Sequence, residues 1–185
     1  MTELLSLASP IILTYRGEYA PEGVFPKISP KAFIAAGAAV IGDVEIGDDS
    51  GVWFGCVVRG DVNYIRIGKR TNIQDGTVVH VTRKTNPTII GDNVTIGHSA
   101  LLHGCILEDG CFIGMRATLM DGVVVESGAQ VAAGALVTPN KRIPSGQLWV
   151  GSPAKYFRDL TEEEQSFINI SAENYVKHAR EYLSV

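Results

Sequence analysis

An apolar residue recurs at every sixth position over most of the chain, and this period constrains the fold more than any other feature. The two longest uninterrupted runs are Ile34, Val40, Ile46, Val52 and Val58, then Leu107, Ile113, Leu119, Val125, Val131 and Val137. Glycine directly follows several in-phase isoleucines, as in Ile46-Gly47 and Ile96-Gly97. A short fixed period is the signature of a solenoid, and a hexapeptide period indicates a parallel β-helix.

Each hexad is expected to form one short strand and one turn, and three hexads to complete a triangular coil with the apolar residue inside. The alternative fold is a β-sandwich, but its strands alternate with period two and would not keep the six-residue phase over about a hundred residues. The sequence therefore predicts an all-β solenoid over residues 1–160, including an N-terminal strand segment.

The phase breaks three times, between Val58 and Ile67, between Val79 and Ile90, and between Leu102 and Leu107. The second break contains residues 82–87, which lack the repeat and are predicted to protrude as a loop. Breaks in a solenoid often mark a binding region, and two of these three lie beside histidines.

Residues 161–185 have a different pattern. Thr161 followed by Glu164 is a capping box, which marks the start of a helix. Apolar residues then follow at helical spacing: Phe167, Ile168, Ile170, Ala172, Tyr175, Val176, Ala179 and Leu183. This segment is predicted to be a C-terminal α-helix that packs on the solenoid as part of the same domain.

Composition excludes several classes of function. The net charge is −4 and there is no basic block, so a nucleic-acid partner is not expected. No apolar run is long enough to span a membrane, and Met1–Leu13 lacks the positive region of a signal peptide. The three cysteines lack the spacing of a metal site and are interpreted as reduced core residues, so the protein is expected in the cytoplasm.

Three of the four histidines, His80, His98 and His103, fall within this repeat. His80 and His98 are 18 residues apart, which equals three hexads if the loop completes one of them, so they are expected to stack on successive coils. His103 is then around the next corner, and two chains meeting at a groove, as in a cyclic trimer, would bring all three rings together. Three histidines with an open fourth position are typical of catalytic zinc, on which water has a pKa near 7.

An alternative to a metal site stays open, in which the three histidines are separate surface or core residues. His178, on the predicted helix, is expected to be an ordinary surface residue. Arg59-Gly60-Asp61 and Gln74-Asp75 precede the histidines by about one coil. They form either solvated surface ion pairs or contacts that support a metal site and a subunit interface.

These motifs resemble those of the γ-class carbonic anhydrases, in particular the short bacterial members. The resemblance covers nearly the whole chain. It rests on Arg59-Gly60-Asp61, Asn72-Ile73-Gln74-Asp75, His80, Gly97-His98, His103-Gly104-Cys105, Trp149 to Lys155, and Asn174-Tyr175-Val176. The six-residue repeat alone also fits many acyltransferases, whereas the three histidines with the preceding Arg, Asp, Gln and Asp are specific.

The resemblance implies a left-handed β-helix and a homotrimer with metal shared between neighbouring chains. His80 and His103 of one chain and His98 of its neighbour would bind Zn2+ or Fe2+ and hydrate carbon dioxide to bicarbonate. The resemblance also implies that Gln74 and Tyr175 each hydrogen-bond the bound water or bicarbonate. Arg59 would pair with Asp75 across the interface, and Asp61 would support that pair.

The chain departs from the family prototype at two places. Val62 stands where the prototype has Glu, and the loop Arg83-Lys84-Thr85-Asn86 is basic where the prototype has a proton-shuttling carboxylate. Because hydration must export a proton, a metal-binding trimer of little or no activity with a scaffold or regulatory role stays open as an alternative. A hexapeptide acyltransferase that uses acyl-CoA also stays open, since many such enzymes share the six-residue repeat.

Overall fold

The computed structural model describes residues 9–184, which form a left-handed parallel β-helix of about seven turns followed by one α-helix. The predicted solenoid with a C-terminal helix is therefore confirmed. The expectations for residues 1–8 and for residue 185 lie outside the described residues. The strands are β1 (Ile11–Leu13), β2 (Lys27–Ile28), β3 (Phe33–Ile34), β4 (Ala39–Ile46), β5 (Gly51–Val52), β6 (Val57–Ile67), β7 (Asn72–Ile73), β8 (Val78–His80), β9 (Thr88–Ile90), β10 (Thr95–Ile96), β11 (Leu101–His103), β12 (Ile106–Leu107), β13 (Phe112–Ile113), β14 (Thr118–Leu119), β15 (Val124–Val125), β16 (Gln130–Val131), β17 (Leu136–Val137), β18 (Arg142–Ile143), β19 (Gln147–Gly151) and β20 (Ala154–Asp159).

The strands of the coils line three faces, and strands one coil apart on the same face pair in parallel, whereas β20 pairs antiparallel with β19. The first face contains β7 and β10, the second β8 and β11, and the third β9 and β12. Ile73 is in register with Ile96 on the first face, and Val79, Leu102 and Leu119 are in register on the second. Residues at the same phase of the repeat therefore stack along the solenoid.

The stacked side chains fill a continuous apolar core. Its largest fully buried members include Ile65, Ile73, Ile90, Ile96, Leu102, Leu107, Ile113, Leu119 and Ile143. Cys56, Cys105 and Cys111 are also buried and unpaired, as expected of small core residues. Burial raises the pKa of Cys56 to about 11 and that of Cys105 to about 12, so both thiols stay protonated at neutral pH.

The first two breaks in the repeat lie at the corner between the second and third faces. Strand β6 continues from Val57 to Ile67 and pairs with β8 and then with β9, so it belongs to both faces. Residues 81–87 form a loop closed by a bridge between Thr82 and Asn86, with exposed residues at its tip. The predicted loop is confirmed, but it is added at the corner and does not replace part of a hexad.

Helix α1 (Glu162–Leu183) begins at the predicted capping box. The Thr161 side chain accepts a hydrogen bond from the Glu164 backbone, and the Glu164 side chain accepts one from the Thr161 backbone. The helix contacts β3, β5, β7 and β10 of the first face. It buries Ile168, Ser171, Ala172, Val176 and Ala179.

The apolar face expected for the helix is only partly buried in the single chain. Phe167 is 54% exposed, Ile170 51% and Leu183 54%, so the buried stripe is narrower than the sequence pattern indicated. Among residues 9–184, α1 is the single helix, and it is too polar to cross a membrane.

Shortening a stacked core residue should destabilise the solenoid. Leu119 is fully buried, and Leu119→Ala is expected to lower the free energy of unfolding by about 2–5 kcal/mol because it leaves a cavity between coils. Urea denaturation at fixed protein concentration measures the change. The control Leu183→Ala, at an exposed site, should change it by less than about 0.5 kcal/mol. Equal effects of the two substitutions would contradict the stacked core.

The helix cap should lose stability in acid. The Arg158 guanidinium, followed by the Thr161 backbone, lowers the pKa of Glu164 from 4.5 to about 2. Because the folded pKa lies below the unfolded one, this stabilisation is complete above about pH 4.5 and is lost as the pH falls towards 2. Glu164→Gln should therefore flatten the pH dependence of unfolding between pH 5 and 3, followed by helical circular dichroism. If Glu164→Gln leaves the pH dependence of unfolding unchanged, the loss of the Glu164 charge does not destabilise the helix cap.

Candidate metal centre

His80 and His103 lie side by side at the end of the second face. They are the last residues of β8 and β11. They are directly in register, because the residues that precede them, Val79 and Leu102, stack on each other in the core. His80 Nδ1 is 3.2 Å from His103 Nε2. The repeat therefore directs two imidazole nitrogens at each other on the corner beside the loop.

A carboxylate contacts the other nitrogen of each ring. His80 Nε2 is 3.0 Å from Asp61 Oδ1, and His103 Nδ1 is 2.7 Å from Asp121 Oδ1. An ionised carboxylate only accepts hydrogen bonds, so the nitrogen that faces it carries the proton. In a neutral imidazole the other nitrogen then has a lone pair, so His80 Nδ1 and His103 Nε2 face each other with a lone pair each.

This pair of nitrogens fits a metal ion. Two facing lone pairs repel each other unless a proton or a cation lies between them. Two nitrogens bound to one tetrahedral zinc ion at about 2.0–2.1 Å lie about 3.3 Å apart. The 3.2 Å separation is close to that value. Imidazoles backed by carboxylates are also the usual ligands of zinc and iron sites, because the carboxylate fixes the tautomer.

The pKa shifts at this corner favour the ligand-competent state. Burial lowers the pKa of His80, with the Arg59 charge acting in the same direction and Asp61 opposing it. Burial acts to raise the pKa of Asp61, but hydrogen bonds from His80 and Arg59 outweigh it and hold that pKa below its ordinary value. A neutral imidazole beside an ionised carboxylate is the form that binds a metal.

His98 lies at a different corner, between the first and second faces. Its Nδ1 is 2.9 Å from Asp75 Oδ2. The prediction that His80 and His98 stack is wrong, since His80 is in register with His103. The loop adds residues to the coil, so one turn spans 103 − 80 = 23 residues instead of 18. Among residues 9–184, no three potential ligands are grouped to hold a metal within one chain.

Arg59 belongs to the His80 corner. Its guanidinium contacts Asp61 Oδ2, while the other oxygen of Asp61 faces His80. The Arg59–Asp75 pair implied by the resemblance is not formed within this chain, in which Asp75 contacts His98. Arg59 therefore helps to hold Asp61, and through it the His80 ring.

Gln74 belongs to the His98 corner and is 6% exposed. Its Nε2 donates a hydrogen bond to Asn72 Oδ1 at 3.0 Å, and Asn72 Nδ2 donates to Thr95 Oγ1 at 2.9 Å. Thr95 Oγ1 is in turn 3.1 Å from Ser171 Oγ on α1. This buried polar chain, which ends on the helix, fixes the orientation of the Gln74 amide.

Tyr175 of α1 lies on the same side of the molecule as Asp75. Its ring packs edge-to-face on Trp53, with centroids 5.4 Å apart. Burial raises the pKa of Tyr175, and the Asp75 charge raises it further, so the hydroxyl stays protonated at neutral pH. His178 is exposed on the helix, as expected for a surface residue.

The predicted residues thus fall into two groups on opposite edges of the second face. Arg59, Asp61, His80 and His103 form one, and Gln74, Asp75, His98 and Tyr175 form the other. The first group contains two imidazoles and the second contains one.

Sequence reasoning missed three contacts beside the histidines. Asp121 binds His103, and Thr82 Oγ1 donates to Asp121 Oδ2 at 2.7 Å. Arg83 Nη1 is 2.6 Å from Glu18 Oε2, so a carboxylate from the N-terminal segment reaches the loop. Asp121 had a detectable signal, since the in-phase residues Leu102 and Leu119 are one coil apart and Asp121 follows Leu119 by two positions. The Glu18 contact had none, because it joins residues 65 positions apart.

Two family models match parts of the chain. The model described as bacterial transferase hexapeptide (six repeats) matches residues 104–139, and the hexapeptide repeat of succinyl-transferase matches residues 87–111. Both matches lie within the solenoid.

Curated relatives match most of the chain. Gamma carbonic anhydrase 2, mitochondrial, of Arabidopsis thaliana is 56% identical over 164 residues, which cover 86% of this chain and 59% of that protein. The chain thus spans less than two thirds of the plant protein. A probable carbonic anhydrase of Methanocaldococcus jannaschii is 50% identical over 150 residues, covering 81% of this chain and 94% of that one.

A solved structure shares the fold along nearly the whole length. The crystal structure of a hexapeptide transferase family protein from Anaplasma phagocytophilum is 46% identical and aligns with a TM-score of 0.87. The alignment covers 93% of this chain and 98% of that one.

A metal ion that binds the paired histidines only in the folded state should stabilise the folded protein. Zinc at about 1,000 times its dissociation constant is expected to add about 4 kcal/mol to the free energy of unfolding. Differential scanning calorimetry before and after chelation measures the effect. His178→Ala should respond like the unchanged protein, whereas His103→Ala should lose the response. The same melting temperature with and without stoichiometric zinc would contradict a site at these histidines.

Proposed function

This chain belongs to the γ-class carbonic anhydrase family, and we propose that it catalyses the reversible hydration of carbon dioxide to bicarbonate. The observation that carries the proposal is the set of three histidines, each with one ring nitrogen against a carboxylate. This arrangement leaves the second nitrogen of each ring available to a metal ion.

The proposed metal ligands are His80 and His103 of one subunit and His98 of the partner subunit. Zn2+ or Fe2+ held there would supply Lewis-acid activation of water for the hydration of carbon dioxide, and for zinc the pKa of the water falls to about 7. Asp61, Asp75 and Asp121 keep the protons of the three rings on the nitrogens that face away from the ion.

The proposed assembly is a homotrimer in which the two edges of the second face meet between neighbouring subunits. A single chain carries two ligands on one edge and one on the other, so each site needs two chains. Exposed apolar side chains lie between the edges and at the His98 corner: Val78 is 37% exposed, Leu101 38% and Met115 56%. Such a strip is suited to burial against a second copy.

The polar residues of the His98 corner are proposed to bind and orient the substrate. The Gln74 amide, fixed by Asn72, and the Tyr175 hydroxyl would hydrogen-bond the oxygens of carbon dioxide or bicarbonate. In the trimer Arg59 is proposed to reach Asp75 across the interface while it still supports Asp61. These contacts would hold the substrate beside the histidines with little reorganisation.

Hydration releases one proton for each bicarbonate formed, and the basic loop has no carboxylate to accept it. Val62 packs against the core and does not supply one. Glu18, paired with Arg83, brings a carboxylate to the loop from outside it. We propose that small buffer molecules remove the proton directly, so that turnover depends on buffer concentration.

The domain organisation, the compartment and the absence of a nucleic-acid partner are also proposed. Residues 1–160 and 161–185 are treated as one domain, since α1 packs on the first face. The three unpaired cysteines favour a reducing compartment such as the cytoplasm. The net charge of −4 argues against nucleic acid as a partner.

Stopped-flow hydration of carbon dioxide on anaerobically prepared, fully metal-loaded protein tests the function. We expect a rate well above that of buffer, which rises with buffer concentration and is abolished by a chelator. His80→Ala, His98→Ala and His103→Ala should each lower the rate at least about 100-fold through loss of a ligand, and the matched control His178→Ala should not.

A rate equal to that of buffer at full metal occupancy would refute the proposed activity. It would leave the metal-binding scaffold as the better account of the same histidines. Retention of the protein on immobilised coenzyme A, without hydration activity, would instead favour the acyltransferase.

A further inference from the structure

Asp121 lies one coil beyond His103 and is bound on both oxygens. Its Oδ1 is 2.7 Å from His103 Nδ1, and its Oδ2 accepts a hydrogen bond of 2.7 Å from Thr82 Oγ1. Its side chain is 37% exposed. Both partners have fixed positions in the fold, so the carboxylate has a defined orientation towards the imidazole.

The Thr82 hydroxyl comes from the base of the loop, where the backbone is held on both sides. Thr82 N donates to Asn86 O at 2.9 Å, and Thr82 O accepts from Asn63 Nδ2 at 3.0 Å. Asn63 is itself 6% exposed. The inserted loop therefore places one hydroxyl beside the second oxygen of Asp121.

Gly104 leaves the space that the Asp121 carboxylate occupies. It has a φ of 58°, and a Cβ at this position would collide with Asp121 Oδ1, the oxygen that faces His103. A Cβ would also lie 2.7 Å from Asn86 Cβ. Any larger residue at 104 would displace the carboxylate or the loop. The same clearance lies between Gly68 and Asp92 and between Gly91 and Asp109, so it is a feature of the repeat that Asp121 shares.

Other aspartates of the solenoid have a different role. Asp92 Oδ1 accepts a hydrogen bond from the Lys69 backbone, and Asp109 Oδ1 accepts one from the Asp92 backbone. They hold successive coils together. Both hydrogen bonds of the Asp121 carboxylate instead involve side chains, one of which is the imidazole. Stabilisation of the coil alone does not account for that difference.

We propose that Asp121, fixed by Thr82 in the space left by Gly104, is the positioning residue that holds the His103 proton on Nδ1 and its Nε2 towards the metal. The inference rests on the proposed metal site and extends it to residues of the inserted loop and the next coil. Asp121 touches neither metal nor substrate, and it acts through the tautomer and the orientation of His103.

Zinc affinity tests this role by competition with a chromophoric chelator on the full-length protein. Asp121→Asn, which keeps the shape and removes the charge, should weaken binding about 10- to 100-fold. Thr82→Val should weaken it less, and Thr82→Ser should restore the wild-type value. Asp109→Asn is the matched control, because it makes the same change in a coil-holding carboxylate. An equal loss of affinity in Asp109→Asn would overturn the proposal.

The tautomer of His103 in the metal-free protein gives a readout that needs neither metal nor activity. Imidazole 15N chemical shifts should show the proton of His103 on Nδ1 in the wild type and shared between the two nitrogens in Asp121→Ala. An unchanged tautomer in Asp121→Ala would overturn the proposal, whatever the zinc affinity. If the wild type has the expected tautomer and binds zinc but does not hydrate carbon dioxide, the proposed activity fails while the role of Asp121 stands.

Discussion

The stacking of one inward apolar residue from each hexad is the interaction on which the rest of this structure depends. Val79 and Leu102 are fully buried one above the other, and this contact sets the residues that follow them, His80 and His103, in register. A loop inserted at the next corner does not disturb the register, because both strands remain anchored in the core. The position of the histidine pair thus follows from hydrophobic packing.

The triangular section of the solenoid has a second consequence. Each face has two edges, and outward residues on different edges of one face cannot reach the same ion. His80 and His103 share one edge, while His98 lies on the other. All three rings nevertheless have the same local design, in which a carboxylate holds one nitrogen. The common design makes sense if the edges of neighbouring subunits meet around one ion, and the exposed apolar strip between them suits such contact.

The six-residue period was sufficient to predict the solenoid, and Thr161 with Glu164 was sufficient to predict the start of the helix. The three histidines were identified as a group, but the pair that stacks was wrong, because residue counting cannot tell whether a loop replaces part of a coil or is added to it. Asp121 was missed although it lies one coil from His103, since aspartates are common at these corners. The contact between Glu18 and Arg83 depends on tertiary packing and left no local pattern.

The most direct test of a site divided between chains is complementation in mixed trimers. His98→Ala and His103→Ala damage opposite edges, so about a quarter of the interfaces in an equal mixture should combine two intact edges. We expect that mixture, refolded together, to recover about a quarter of the metal content and hydration rate of the wild type. An equal mixture of His80→Ala and His103→Ala, which damage the same edge, should recover neither. No recovery in the first mixture, with mixed assembly verified by mass spectrometry, would contradict the shared site.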